Sequence, residues 1–381
     1  MEAPCRKFFA WGANSHGQLA LGHTEDQMLP KTTEDFNIPL RHATGGGGHT
    51  LLLTDSGQLF ACGNNNKGQL GLQHTEEMFR PQIVKALEKE LTVCAKGGWD
   101  FTLVLSNEKK LYACGSNMFG QLGLTPVQSY VSSPTPVNLN CLVKDLSTGL
   151  RHSVLLTEKG NVLTMGSGKK GQQGVLVNDV PPKIVTTPNE VAFPSGPMTA
   201  TQVVAGSHHT ACLSDQGQVF VWGCNKYGQC ALDPHTQPQV NRPHCVPQKV
   251  FRNKKVCQVY SGWTHLLAVT DDGQVFSWGR ADYGQLGRPV QSGQLCDFTP
   301  TPIESIPQVS QLCCGSEHSL AITADSKVLT WGWNEHGICG TGDEINVMTP
   351  QTVKTLDTFR TVLIGAGAGH SMALCEVPSS S

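Results

Sequence analysis

Seven times along the chain a short block recurs in which Trp, Cys or Met is followed by Gly, a polar stretch and a second Gly, usually as Gly-Gln. The copies begin at Trp11, Cys62, Cys114, Met165, Trp222, Trp278 and Trp331. They are spaced about 51 to 57 residues apart, with short apolar runs and glycines between them and no helical periodicity. A period of that length is the mark of a propeller in which each repeat supplies one four-stranded blade. The expected fold class is therefore all-β, a seven-bladed β-propeller.

A second motif keeps the same beat, with Gly three residues before His at Gly46/His49, Gly149/His152, Gly206/His209, Gly262/His265, Gly315/His318 and Gly367/His370. In the second repeat Gly98 is followed by Phe101 instead. Each His opens an apolar run, such as Thr50-Leu51-Leu52-Leu53-Thr54. A tight turn follows, such as Asp55-Ser56-Gly57, and then another apolar run that ends in the first motif. This pattern is a hairpin with Gly in its turn. A strand that leaves the His and a second that returns must finish beside it, so both motif loops are expected on one face of the disc. At the N-terminus Lys7-Phe8-Phe9-Ala10 runs into Trp11 without a His segment, and at the C-terminus Gly367 to Leu374 has no Trp-Gly block after it. Each end supplies what the other lacks, and pairing them in one shared blade closes the ring and removes exposed sheet edges. The expected domain is a single propeller over residues 7–377, with a short polar tail at 378–381.

No stretch approaches eighteen consecutive apolar residues, and Met1 to Lys7 has no apolar core like that of a signal peptide. The expectation is a soluble, intracellular protein with no membrane insertion. The fifteen cysteines are odd in number, contain no Cys-x-x-Cys pair, and often stand where another repeat carries Trp or an aliphatic residue. Reduced core thiols are expected. The formal net charge is −2 and the basic clusters Lys109-Lys110, Lys169-Lys170 and Arg252 to Lys255 are short, so no nucleic acid partner is expected and these clusters read as solvated loops. Rotational symmetry spreads the six His around the ring, which speaks against one metal site and for structural bonding inside a blade. The glycine runs at 45–48 and 365–369 lead into no Gly-Lys-Ser/Thr and no helix, so they are turns and the chain is not itself a GTPase. No cofactor and no catalytic residue is expected.

The Trp-Gly-x-Asn-x-x-Gly-Gln-Leu-Gly and Gly-x-x-His-Ser/Thr blocks resemble the repeats of the regulator of chromosome condensation family, from residue 7 to about 377. The founding member of that family is a nucleotide exchange factor for a small nuclear GTPase. Other members are ubiquitin-ligase subunits, scaffolds and a plant ultraviolet photoreceptor. Whole segments resemble a secretion-linked branch of exchange factors: Gly45 to His49, Gly98-Trp99-Asp100-Phe101-Thr102, Ser261 to Leu266, Trp278 to Gly287 and Trp331 to Gly337. The resemblance implies a guanine nucleotide exchange factor for a small GTPase, connected with secretion. It also implies an exocyst subunit as partner and a cytoplasmic protein with a nuclear pool. A non-catalytic adaptor that binds a trafficking complex through the same face remains open.

Residues kept in every copy hold the blade together, so repeat-specific ones mark the partner-binding face. In the two places ahead of the His position stand Gly47, Trp99, Leu150, His208, Trp263, Glu317 and Ala368. The unusual Gly-Gln loops are Arg280-Ala281-Asp282-Tyr283 and Trp333-Asn334-Glu335-His336. Trp263, Arg280, Asp282 and Tyr283 lie one repeat before Glu317, Trp333, Glu335 and His336, which predicts a contiguous aromatic and acidic patch on neighbouring blades. Trp99 and Asp100 are placed on a distant blade as a second contact, and packing between blades is the competing role for each Trp. Trp99 and Trp263 alone hold the place before His where the photoreceptor packs its tryptophans. Lying three repeats apart, they are expected not to couple.

Overall fold

The computed structural model describes residues 5–33, 38–126, 128–194 and 196–377; residues 378–381, expected as a polar tail, lie outside them. Seven four-stranded antiparallel sheets surround a central axis. Blades 1 to 6 run in chain order as Leu40–Ile83, Thr92–Pro136, Val143–Glu190, Ala200–Cys245, Val256–Pro302 and Val309–Thr352. Blade 7 is built from both ends of the chain: inner strand Arg360–Ala366, second strand His370–Glu376, third strand Arg6–Gly12 and outer strand Gln27–Thr32. Seven consecutive residues of the third strand pair with the second, from Arg6 opposite Glu376 to Gly12 opposite His370. The ring closes as the complementary ends predict.

Burial explains why each run is a strand and where it sits. Second strands such as His49–Thr54 and Phe101–Ser106 are buried at every position because both their faces meet a neighbouring blade, so they read as continuous apolar runs. Inner strands such as Thr92–Gly97 alternate between the core and the central channel, and outer strands are largely exposed. The core lies between blades. Leu267 and Val275 of blade 5, for example, pack with Leu312, Ala321 and Trp331 of blade 6. Each fully buried aliphatic or Phe side chain there stabilises the ring by ~1.5–3 kcal/mol.

The longer stretches between motifs, 174–202, 231–256 and 287–311, contain the outer strands Ile184–Glu190, Gln239–Cys245 and Cys296–Pro302. All fifteen cysteines are free thiols. Burial pushes the thiols of Cys62 and Cys114 up to about 12.

The histidines were expected to bond inside a blade, and the structure corrects this. His49 Nε2 lies 3.0 Å from Thr102 Oγ1 of blade 2, and His152 Nε2 lies 3.0 Å from Thr210 Oγ1 of blade 4. His265 pairs with Ser319, His318 with Ser371 and His370 with Thr50, each on the next blade. Where blade 5 offers Leu266, His209 turns to Ser261 Oγ at 2.9 Å. Thr102 donates its hydroxyl proton to Gln69 O of blade 1 at 2.7 Å, so His49 Nε2 must be the donor toward Thr102. The motif Gly is required because the imidazole lies against it: a methyl on Gly262 would meet Cε1 of His265 and the Ser316 carbonyl of the next blade.

The Trp of the other motif ties blades in the same way. Trp222, Trp278, Trp331 and Trp11 donate Nε1–H to Gln172, Gln229, Gln285 and Ile338 carbonyls of the preceding blade, at 3.0 to 3.1 Å.

Candidate face for partner binding

Both motif loops open on one face. Within each blade the residue after the Trp-Gly pair donates its N–H to the carbonyl just ahead of the His, as Arg280 does to Thr264 at 3.0 Å and Trp333 to Glu317 at 2.9 Å. In six blades the motif Gln closes its own loop by accepting the N–H two residues earlier, as Gln285 Oε1 does from Tyr283 at 2.8 Å. Blade 6 has Ile338 in that place, and Glu344 takes over by accepting the His336 N–H. The result is a stiff platform on which the variable side chains are displayed.

Arg280, Asp282, Tyr283 and Trp333 do come together. The Arg280 guanidinium forms a bidentate pair with Asp282, at 2.7 and 2.9 Å, and is sandwiched between the rings of Tyr227 and Tyr283 at 4.7 and 4.3 Å. Burial works against the Arg280 charge, but the Asp282 carboxylate outweighs it and raises its pKa. Tyr283 in turn lies 6.4 Å from Trp333, centroid to centroid. The sequence reading missed Tyr227, although Lys226-Tyr227-Gly228-Gln229 matches Asp282-Tyr283-Gly284-Gln285 place for place.

The acidic part of the patch is smaller than expected. Glu317 is only 6 % exposed and reaches across to blade 5, where Thr264 Oγ1 and Gln285 Nε2 donate to its carboxylate at 2.6 and 2.9 Å. Burial raises its pKa. The reason is register: Glu317 and His208 sit one residue before the His, whereas Trp99 and Trp263 sit two before it. A one-residue step through this bend turns a side chain away from the axis. Asp100 shares the Glu317 position; it is half-buried, and burial raises its pKa too. His336 reaches sideways to Asp26 of blade 7 at 2.7 Å. Of the carboxylates that the sequence placed in the patch, Asp100, Asp282, Glu317 and Glu335, Glu335 alone is exposed.

Trp99 and Trp263 overturn the expectation of distance. Their rings meet over the end of the central channel with centroids 5.4 Å apart. Two places before the His every loop points toward the axis, so residues from blades 2 and 5 converge there. Beneath them runs a channel of about 370 Å³ lined by His42, Lys96, Asp145, Gln202, Tyr260 and Gln311 among others. Trp99 remains 42 % exposed. Among the described residues no group of three or more His, Cys, Asp or Glu is placed to hold a metal ion. No helix among them is long and apolar enough to cross a membrane.

A family model described as RCC1-like domain matches residues 7–373. The chain is 43% identical to the secretion-regulating guanine nucleotide exchange factor of Mus musculus, over 97% of this chain and 84% of that protein. It is 39% identical to the protein of the same name from Bos taurus, over 97% and 83%. The crystal structure of human WBSCR16 superposes with a TM-score of 0.85 at 25% identity, covering 99% of this chain and all of that one.

Proposed function

The chain belongs to the RCC1-like domain family, and from that premise we propose that it is a guanine nucleotide exchange factor for a small GTPase that acts in regulated secretion. It is a cytoplasmic protein with a nuclear pool in this reading. The observation that carries the proposal is the rigid motif face with its repeat-specific aromatic cluster, Tyr227 and Tyr283 around Arg280 with Trp333 against Tyr283, beside the Trp99–Trp263 pair. Two relatives of nearly the full length of this chain that bear the name of such a factor support it.

Exchange makes no bond and needs no general base. It needs a surface that holds the nucleotide-free GTPase more tightly than the nucleotide-bound one, so that factor and nucleotide weaken each other's hold reciprocally. Aromatic anchors that are already packed lose little side-chain freedom on binding, which suits them to that task. Glu335 is an exposed carboxylate available to compete for a cationic group of the GTPase. An exocyst subunit is the partner that connects the factor to secretion.

The test is release of a fluorescent guanine nucleotide from a panel of purified small GTPases, using wild-type protein and a Tyr283→Ala, Glu335→Ala double variant. Catalytic acceleration for one GTPase, lost in the folded variant, supports the proposal. If no GTPase responds while the exocyst subunit still binds the motif face, the protein is an adaptor.

A further inference from the structure

Some of the cations flanking the blades are paired with carboxylates. Lys109 pairs with Glu158 at 3.1 Å, Arg252 with Glu304 at 2.9 Å, Lys254 with Asp272 at 3.5 Å and Arg288 with Asp297 at 3.0 Å. On the motif face of blades 3 and 4 four exposed cations gather without such a pair. Arg151, Lys169, Lys170 and Lys226 are exposed, and none has a carboxylate partner among the described residues. Arg151 stands just ahead of His152 with its guanidinium 4.7 Å over Phe119 of blade 2. Lys170 is on the Gly-Gln loop of blade 3, whose backbone is fixed by Gln172. His208, half-buried just ahead of His209, feels both: burial, then Lys170, then Arg151 lower its pKa. Lys226 extends the arc over the Tyr227 ring at 5.1 Å.

Apolar surface is interleaved with these charges. Met118, beside Phe119, is 62% exposed. Across the axis the same face turns acidic, with Glu25, Asp26, Glu335, Asp343 and Glu344 exposed on the loops of blades 6 and 7. The face is thus divided into a cationic, partly apolar half and an anionic half.

We propose that the arc formed by Arg151, Lys169, Lys170, His208 and Lys226 is a docking surface for an acidic segment of a protein partner, one that carries apolar side chains between its carboxylates. Its uncompensated cations supply the charge complementarity, and Met118, Phe119 and Tyr227 supply the apolar contacts. A nucleic acid fits less well. A continuous polyanion long enough to gain from several phosphate contacts would extend toward the carboxylates of the opposite half, and the arc offers only a few cations to it. The charge division also fixes orientation, since a partner rotated by half a turn would place acid against acid. The assignment stands on the arc's own charges and holds whether or not nucleotide exchange follows.

The experiment is fluorescence anisotropy with a labelled peptide of Glu residues interspersed with Phe, and in parallel a labelled single-stranded oligonucleotide of equal charge, at about 0.1 M salt. The proteins are the full chain, an Arg151→Glu, Lys170→Glu variant, a milder Arg151→Gln, Lys170→Gln variant, and a Lys254→Glu, Lys255→Glu control on the opposite face. The peptide is expected to bind wild type and the control alike, within about twofold, and to bind the charge-reversed arc about tenfold more weakly. The Gln variant falls between. The proposal is overturned if the peptide does not bind wild type, if the control loses as much as the arc variants, or if the oligonucleotide binds wild type as tightly as the peptide. Guanine nucleotide release is read separately, so failure of the arc leaves the exchange proposal untouched, and the converse holds.

Discussion

Trp99 and Trp263 touch across the axis of the ring, 5.4 Å between centroids with their planes inclined at 56°, although blades 3 and 4 lie between them. The equivalent places in the other blades hold Gly47, Leu150, Ser207, Ser316 and Ala368, mostly small residues that leave the two indoles room to meet.

Coupled indoles report on each other. The near-ultraviolet circular dichroism should contain a contribution that Trp99→Ala removes as fully as Trp263→Ala does, with the double variant losing no more of it. Strictly additive spectra from the two single variants would contradict the contact. Because Trp99 lies at the surface and is partly exposed, its removal should change stability by no more than about 1 kcal/mol.

The histidine ring makes the fold acid-sensitive. Burial holds His49, His152, His209, His265 and His318 down to about 3, and His370 to about 4, against 6.5 for an exposed imidazole. Between those values the unfolded chain binds protons that the native state refuses. Stability is therefore fully present above pH 6.5 and is lost as pH falls toward the native values. At pH 5 the loss is about 2 kcal/mol for each histidine, and six such losses are comparable with the whole stability of an ordinary domain. Denaturant unfolding from pH 8 to pH 5 should show a steep fall, shallower in a His152→Gln variant. A flat profile would mean the imidazoles are already charged in the native state.

Phe101 interrupts the ring of imidazoles, and its neighbour Ser153 bonds only the Gln121 carbonyl, at 2.7 Å. Phe101→His should restore the missing link from Nε2 to Ser153 Oγ, because the same register exists between His49 and Thr102. Lost apolar burial and the gained hydrogen bond nearly offset, so the variant should lie within about 1.5 kcal/mol of wild type at pH 8. Its acid midpoint should move up, since a seventh buried imidazole has been added. An unchanged midpoint would show that the new side chain stays outside the interface.

Glu317 and Glu335 should separate cleanly. Glu317→Ala strands the Thr264 hydroxyl and the Gln285 amide and should cost about 1–3 kcal/mol in thermal or urea unfolding. Glu335→Ala, on an exposed loop, should stay within about 0.5 kcal/mol. Similar stability changes in the two would contradict the buried position of Glu317.

On the candidate face the sequence brought the variable loops together but did not give all of their contacts. Arg280, Asp282, Tyr283 and Trp333 were legible as neighbours because they fall in adjacent repeats. Tyr227 was overlooked, and Glu317 was credited with an exposure that its position one residue closer to His318 denies it. Side-chain direction in the bend ahead of each His depends on that single step, and composition at a motif place does not reveal it.

The blade count, the hairpin order, the common face of the two motif loops and the closure of the ring by its own ends were all determined by the sequence alone. A period repeated seven times, with complementary fragments at the termini, leaves one way to bury every strand. Only the tertiary structure decided that the histidines bond across blades, that Trp99 and Trp263 meet, and that the cations of blades 3 and 4 stand uncompensated while the acids gather opposite. Those relationships depend on the radius and rotation at which blades pack. Both arise from side chains of different repeats pressed together, and no single repeat encodes them.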